Sequence, residues 1–126
     1  MPFSLKFNAD SGICEIIISG VFDPPLNEEI KDAAQEIILK HDCYRFIIDC
    51  REANLRLPTL LIYKAPSEIR KRLSEIKFPA HKVKRAFVVN NDFKDFSFIE
   101  TVSTNRGLQV KVFQDMNQAI EWLNLQ

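Results

Sequence analysis

Apolar and polar residues alternate with period two in five places along the chain and recur at helical spacing between them. Phe3, Leu5 and Phe7 alternate with Ser4, Lys6 and Asn8, the pattern of a half-buried strand. Asn8-Ala-Asp-Ser-Gly12 reads as a turn, and Cys14, Ile16 and Ile18 alternate beyond it, so the first two strands are expected to form an antiparallel hairpin. Gly20 to Pro25 breaks the pattern. Leu26, Ile30, Ala33, Ala34, Ile37 and Ile38 then predict a helix, with Asp23 or Asn27 as its cap and Lys40-His41 at its C-terminal end, where positive charge suits the dipole. Tyr44–Cys50 is the third strand, followed by an irregular charged stretch, Arg51–Arg56. Leu57–Tyr63 predicts a short helix starting at Pro58, and Pro66 is expected to interrupt it and start a second, running to Leu73. Val83–Val89 is the fourth strand. Asp92 is placed to cap a helix that runs to Asn105 and ends at Gly107. Leu108–Phe113 is the fifth strand. Asp115 with Gln118 reads as a capping box opening a last helix, whose apolar face is Ala119, Ile120, Trp122 and Leu123.

The order β-β-α-β-α-β-α-β-α implies an α/β fold, an N-terminal hairpin followed by mostly parallel pairing through right-handed crossovers. A sheet buried on both faces has strands apolar throughout, whereas these alternate. Phe3, Leu5, Phe7, Cys14, Ile16, Ile18, Phe46, Ile48, Phe87, Val89, Leu108, Val110 and Val112 share one face, so the helices are expected to pack mainly there. The other face collects Lys6, Glu15, Arg45, Lys84, Gln109 and Lys111, with Ile17, Ile47 and Val88 as an apolar strip among them. Such a strip is either thinly covered or an association surface, and homodimerisation through it is the corresponding expectation.

The length, 126 residues, is that of one domain, 1–126, and the apolar and charged fractions, 46% and 27%, are ordinary for a globular protein. No apolar run reaches membrane-helix length, and Met1–Phe7 lacks a signal-peptide layout, so a cytoplasmic location is expected. Three cysteines at irregular spacing, Cys14, Cys43 and Cys50, make a poor disulfide framework and read as buried free thiols. Net charge is zero but uneven: residues 1–63 carry 6 basic and 10 acidic side chains, residues 64–126 carry 11 and 7. Lys64–Arg85 holds 8 basic residues, with Phe78 as its one aromatic, which argues for a solvated surface and against nucleic-acid binding.

Chemistry is sparse. The chain has three glycines, Gly12, Gly20 and Gly107, which leaves no phosphate loop and no nucleophile elbow. Metal-ligand spacing is missing, and no cofactor is implied. Glu100, Asn105, Arg106 and Trp122 invite a catalytic reading, but helix termination and core packing account for them. The strongest candidates lie where parallel strands end, because sites collect at those ends. Asp49, Arg51, Glu52 and Asn54 follow the third strand, and Asn90, Asn91 and Asp92 follow the fourth. Thr59 and Tyr63 lie on the helix after the third strand. Together these residues form a candidate surface for a partner or ligand, with loop capping by Asp and Asn as the structural alternative.

The phrases Ile47-Ile-Asp-Cys-Arg51, Tyr63-Lys-Ala-Pro66, Phe98-Ile-Glu-Thr-Val102 with Asn105-Arg-Gly107, and Val112-Phe113 followed by Ala119-Ile-Glu-Trp-Leu123 resemble, in order and spacing, a bacterial SpoIIAA-like domain. That fold group contains the STAS domain (sulfate transporter and anti-sigma-factor antagonist), and the chain is similar to bacterial proteins labelled STAS/SEC14-like. The resemblance implies a non-enzymatic regulatory or protein-interaction domain with a protein partner. Its lipid-related half implies an alternative, binding of a lipid or small apolar ligand, with Leu60–Tyr63 as a flap and Arg70–Arg85 against anionic headgroups. Anti-sigma-factor antagonists also carry a phosphorylatable serine in an Asp-Ser-Ser-Gly-like turn after the third strand. This chain departs there: Asp49 is followed by Cys50-Arg-Glu-Ala-Asn-Leu-Arg56, and the nearest hydroxyl is Thr59. A phosphorylation switch would therefore have to act at Thr59.

Overall fold

In the computed structural model, which describes residues 2–90 and 93–125, the alternating segments become strands β1 (Phe3–Asn8), β2 (Ile13–Phe22), β3 (Arg45–Leu55), β4 (Lys84–Val88) and β5 (Gln109–Phe113). The helices are α1 (Pro24–His41), α2 (Thr59–Glu75), α3 (Phe93–Asn105) and α4 (Met116–Leu123), with a 3₁₀ turn at Ala80–Lys82. The strands form one sheet in sequential order; β1 and β2 are antiparallel and every later pair is parallel. The hairpin turns because Asn8 Oδ1 accepts the N–H of Asp10 at 2.9 Å and Gly12 takes φ +73°, where a Cβ is disfavoured.

Two strands run further than their sequence suggests. β2 continues through Gly20 (φ +82°) to Phe22, and β3 continues through the charged stretch to Leu55. Between them the pairing steps from Ile17↔Asp49 to Ser19↔Glu52, so β3 carries one extra residue. That bulge resets the alternation: Phe46, Ile48 and Cys50 face the core, then Ala53 and Leu55 do. A phase shift of one residue hides the strand from a period-two reading.

The segment expected to be two helices broken at Pro66 is one helix, α2. Pro66 lacks the N–H that would satisfy the carbonyl of Ile62, but its ring is fully buried, and packing overrides the local cost. Asp23, not Asn27, caps α1, its Oδ1 accepting the Leu26 N–H at 3.1 Å. Asp115 caps α4 by accepting from Asn117 at 2.8 Å, one position short of the Gln118 expected in a capping box. The expected cap of α3, Asp92, lies outside the described residues. His41 occupies the last turn of α1 and stacks on Phe7 at 4.1 Å.

α1, α2 and α3 bury Leu26, Ile30, Ile38, Ile62, Leu73, Phe96, Ile99 and Val102 against the first sheet face. α4 covers the second face through Ala119 and Leu123, which pack with Ile47, Ala86, Val88 and Phe113. Two members of the expected open strip, Ile47 and Val88, therefore lie beneath α4, while Ile17 remains 38% exposed. No helix among the described residues is long and apolar enough to cross a membrane.

Candidate functional site

The bulge in β3 positions the first candidate group. Asp49 is 6% exposed and forms the last register pair with β4, opposite Val88; beyond it β3 pairs with β2 alone. The Arg51 guanidinium clasps it in two-point fashion, Nε donating to Oδ1 at 2.9 Å and Nη2 to Oδ2 at 2.8 Å. The backbone N–H of Arg51 donates to the same Oδ1 at 3.1 Å. Burial pushes the Asp49 carboxyl up, but the Arg51 guanidinium and N–H outweigh it and hold the group below the usual carboxylate range. An ionised, fully engaged carboxylate of this kind is a poor proton acceptor.

Asn90 completes the clasp. Its Nδ2 donates to the Arg51 carbonyl at 3.0 Å, and its own carbonyl accepts from Gln114 Nε2 at 3.0 Å, tying β3, where it leaves β4, to the ends of β4 and β5. Glu52 and Asn54 are exposed on the β3 extension, where Asn54 Oδ1 accepts from Arg56 Nη1 at 2.6 Å. Thr59 is the first residue of α2, exposed, and preceded by Pro58, which supplies no side-chain cap. Tyr63 is 48% exposed and meets Phe98 of α3 edge-on at 5.4 Å, so it joins the two helices. Asn91 and Asp92 lie outside the described residues. The structure thus brings Asp49, Arg51 and Asn90 into one hydrogen-bonded group, while Thr59 and Tyr63 lie apart from it on α2, which starts beyond the end of β3 at Leu55.

The residues that invited a catalytic reading have structural work. Glu100 Oε1 accepts the Val112 N–H of edge strand β5 at 2.7 Å. The carbonyl of Arg106 accepts from Arg70, and Gly107 takes φ +81°. Trp122 is half-buried against Phe113. All three thiols are buried: desolvation raises Cys43, lifts Cys14 to about 12, and pushes Cys50 up as well. Among the described residues no group of three or more His, Cys, Asp or Glu side chains could hold a metal ion.

A second feature was not read from the sequence. Between α1, α2 and the sheet lies an apolar cavity of about 110 Å³, adjoined by a smaller one of about 60 Å³. Arg85 lines both. Its position follows from alternation: the register that points Phe87 and Val89 into the main core points Arg85 there too. Counting charges along Lys64–Arg85 placed it with solvated side chains, while the period-two pattern held the signal. Its guanidinium lies 6.0 Å from the Phe87 ring centroid and has no hydrogen bond or ion pair among the described residues. Desolvation alone lowers its pKa to about 10, which leaves it charged at neutral pH.

No protein-family model and no curated relative matches the sequence. Solved structures do. The anti-sigma factor antagonist SpoIIAA in its unphosphorylated form superposes with a TM-score of 0.57 at 12% identity, over 96% of each chain. An uncharacterized protein with a SpoIIAA-like fold from Shewanella loihica gives 0.57 at 12% identity, over 96% of this chain and 91% of that one. An anti-sigma factor antagonist from Mycobacterium paratuberculosis gives 0.60 at 11% identity, over 98% and 95%. At such identities the likeness establishes the fold, which is SpoIIAA-like.

Proposed function

We propose that this chain is a non-enzymatic interaction domain that recognises a protein partner through the rim at the C-terminal ends of β3 and β4 and the first turns of α2. The observation that carries this reading is the juxtaposition at α2: Leu60 and Tyr63 are 64% and 48% exposed on an α-helical start that also presents Thr59. Large apolar groups held open beside polar ones have the make-up of an interface, where aromatic anchors supply most of the energy and a polar rim supplies register. The clasp of Asp49, Arg51 and Asn90 makes the adjoining strand ends rigid, so the surface is preformed. Two of the proteins that share the fold are named anti-sigma factor antagonists, which supports a regulatory role acted out through protein contact.

The test is affinity capture from the native cell with the wild-type chain and a Leu60→Asp/Tyr63→Asp variant. A partner retained by the wild type and lost by the variant, at unchanged melting temperature, is the expected result. Equal capture by both would refute the assignment of this surface.

A further inference from the structure

We propose that the cavity between α1, α2 and the sheet binds an aliphatic monocarboxylate, its tail among Ile30, Ile38, Phe46 and Ile69 and its carboxylate on the guanidinium of Arg85. Three observations carry this. First, the cavity walls are overwhelmingly apolar, and at about 110 Å³ the space is of the order of the roughly 150 Å³ cavity that accepts benzene in a well-packed protein core. The adjoining space of about 60 Å³ extends it past Arg85, which suits a chain of about six to eight carbons.

Second, among the described residues Arg85 has no counter-charge, where its neighbours have one. Lys31 and Arg72 also line the larger cavity, but Lys31 Nζ is held by Glu28 at 2.8 Å and Glu68 at 3.4 Å, and Arg72 by Asp32 at 2.9 Å and Glu28 at 3.1 Å. Arg85 is half-buried and its nitrogens stay accessible to solvent, so its charge is tolerated, but a guanidinium with no protein partner beside apolar walls departs from local consistency, and such departures gather at functional sites. One free guanidinium offers a planar fork that matches one carboxylate in two-point contact. Asn27 lines the same two spaces, and its side-chain amide is unengaged among the described residues, which supplies a second donor for the same anion.

Third, there is a way in. The surface side of the cavity is the seam between α1 and α2, bridged by the pairs Lys31–Glu68, Arg72–Glu28 and Arg72–Asp32. Their acidic partners, Glu28, Asp32 and Glu68, are 56%, 69% and 52% exposed, so water reaches each pair and screens it, although Lys31 itself is only 13% exposed. The larger cavity is lined by no residue of the strand rim, while the smaller one lies under the first turns of α2, where Leu61 and Ile62 line it; the proposal does not rest on the partner surface.

Isothermal titration of the full chain with octanoate, 1-octanol and acetate tests the proposal. Octanoate should bind about 10- to 100-fold more tightly than 1-octanol, the difference a charged hydrogen bond makes, and acetate should show no measurable binding. Arg85→Met should lower octanoate affinity about 10- to 100-fold and leave 1-octanol unchanged, while Arg85→Lys should recover part of the loss. Ala34→Phe, which puts a ring into the cavity from α1, should abolish binding of both. Absence of octanoate binding, equal affinity for octanoate and 1-octanol, or full octanoate affinity in Arg85→Met or Ala34→Phe would each overturn the proposal.

Discussion

Arg51 holds Asp49 from two positions further along the same strand, with Nε 2.9 Å from Oδ1 and Nη2 2.8 Å from Oδ2. The pair sits at the point where β3 gains its extra residue, and the carboxylate also accepts the Arg51 N–H. A bulge interrupts the regular ladder, and here a side chain takes up a backbone donor at the interruption. Asp49→Asn should cost about 1–2 kcal/mol at neutral pH, a moderate figure because Arg51 is 43% exposed and solvent screens the pair. The folded carboxyl titrates below its unfolded value, so its contribution is complete above the unfolded pKa of about 4 and disappears as pH falls through the folded pKa. Denaturant melts of both proteins at pH 7 and pH 2.5 check this: the stability gap should close in acid, and a constant gap would contradict it.

Arg85→Met should make the ligand-free protein more stable. Replacing a half-buried charge that has no partner among the described residues by an uncharged side chain of similar length lessens a desolvation penalty, for a gain of about 1 kcal/mol. Thermal unfolding reads this as a melting point several degrees higher. A lower melting point would mean that the guanidinium contributes to stability.

The two glycines of β2 and its turn separate sterics from backbone strain. A Cβ on Gly12 (φ +73°) would stand 2.7 Å from Arg45 Nη2, whereas one on Gly20 (φ +82°) meets nothing within 4 Å. Gly20→Ala should cost about 1–2 kcal/mol, the strain of left-handed backbone alone. Gly12→Ala should cost about 1 kcal/mol more, because Arg45 Nη2 must also shift from the Ser11 carbonyl to which it donates. Equal losses in urea unfolding would show that Arg45 moves aside freely.

The cysteines should be inert while the chain is folded. Burial raises all three thiols, Cys14 to about 12, so thiolate is scarce at pH 8. A chromogenic disulfide reagent should label them over hours in the native protein and within minutes in concentrated guanidinium. Rapid labelling of any one in the native state would reveal local opening.

The order of elements, the hairpin, the parallel sheet and the face that takes most of the helices were all readable from alternation and turn chemistry. Phe46, Ile48, Phe87, Val110 and Val112 lie in the main core as their spacing indicates. The candidate site was legible only in part. Asp49 and Asn90 were found because strand ends are where polar groups collect, but their connection through Arg51 depends on a bulge that no local pattern announces.

What the sequence determined by itself is what short-range physics controls: period two for strands, period 3.6 for helices, Asp115 as a cap, Gly107 as a stop. What only the tertiary structure decided concerns competition between a local preference and a distant neighbour. Pro66 stays within a helix because its ring is buried, Ile47 and Val88 are dry because α4 folds back over them, and Arg85 faces the core because β4 has one register. In each case burial against residues far along the chain outweighs what the adjacent residues favour, and adjacent residues are all that a period or a motif can sample.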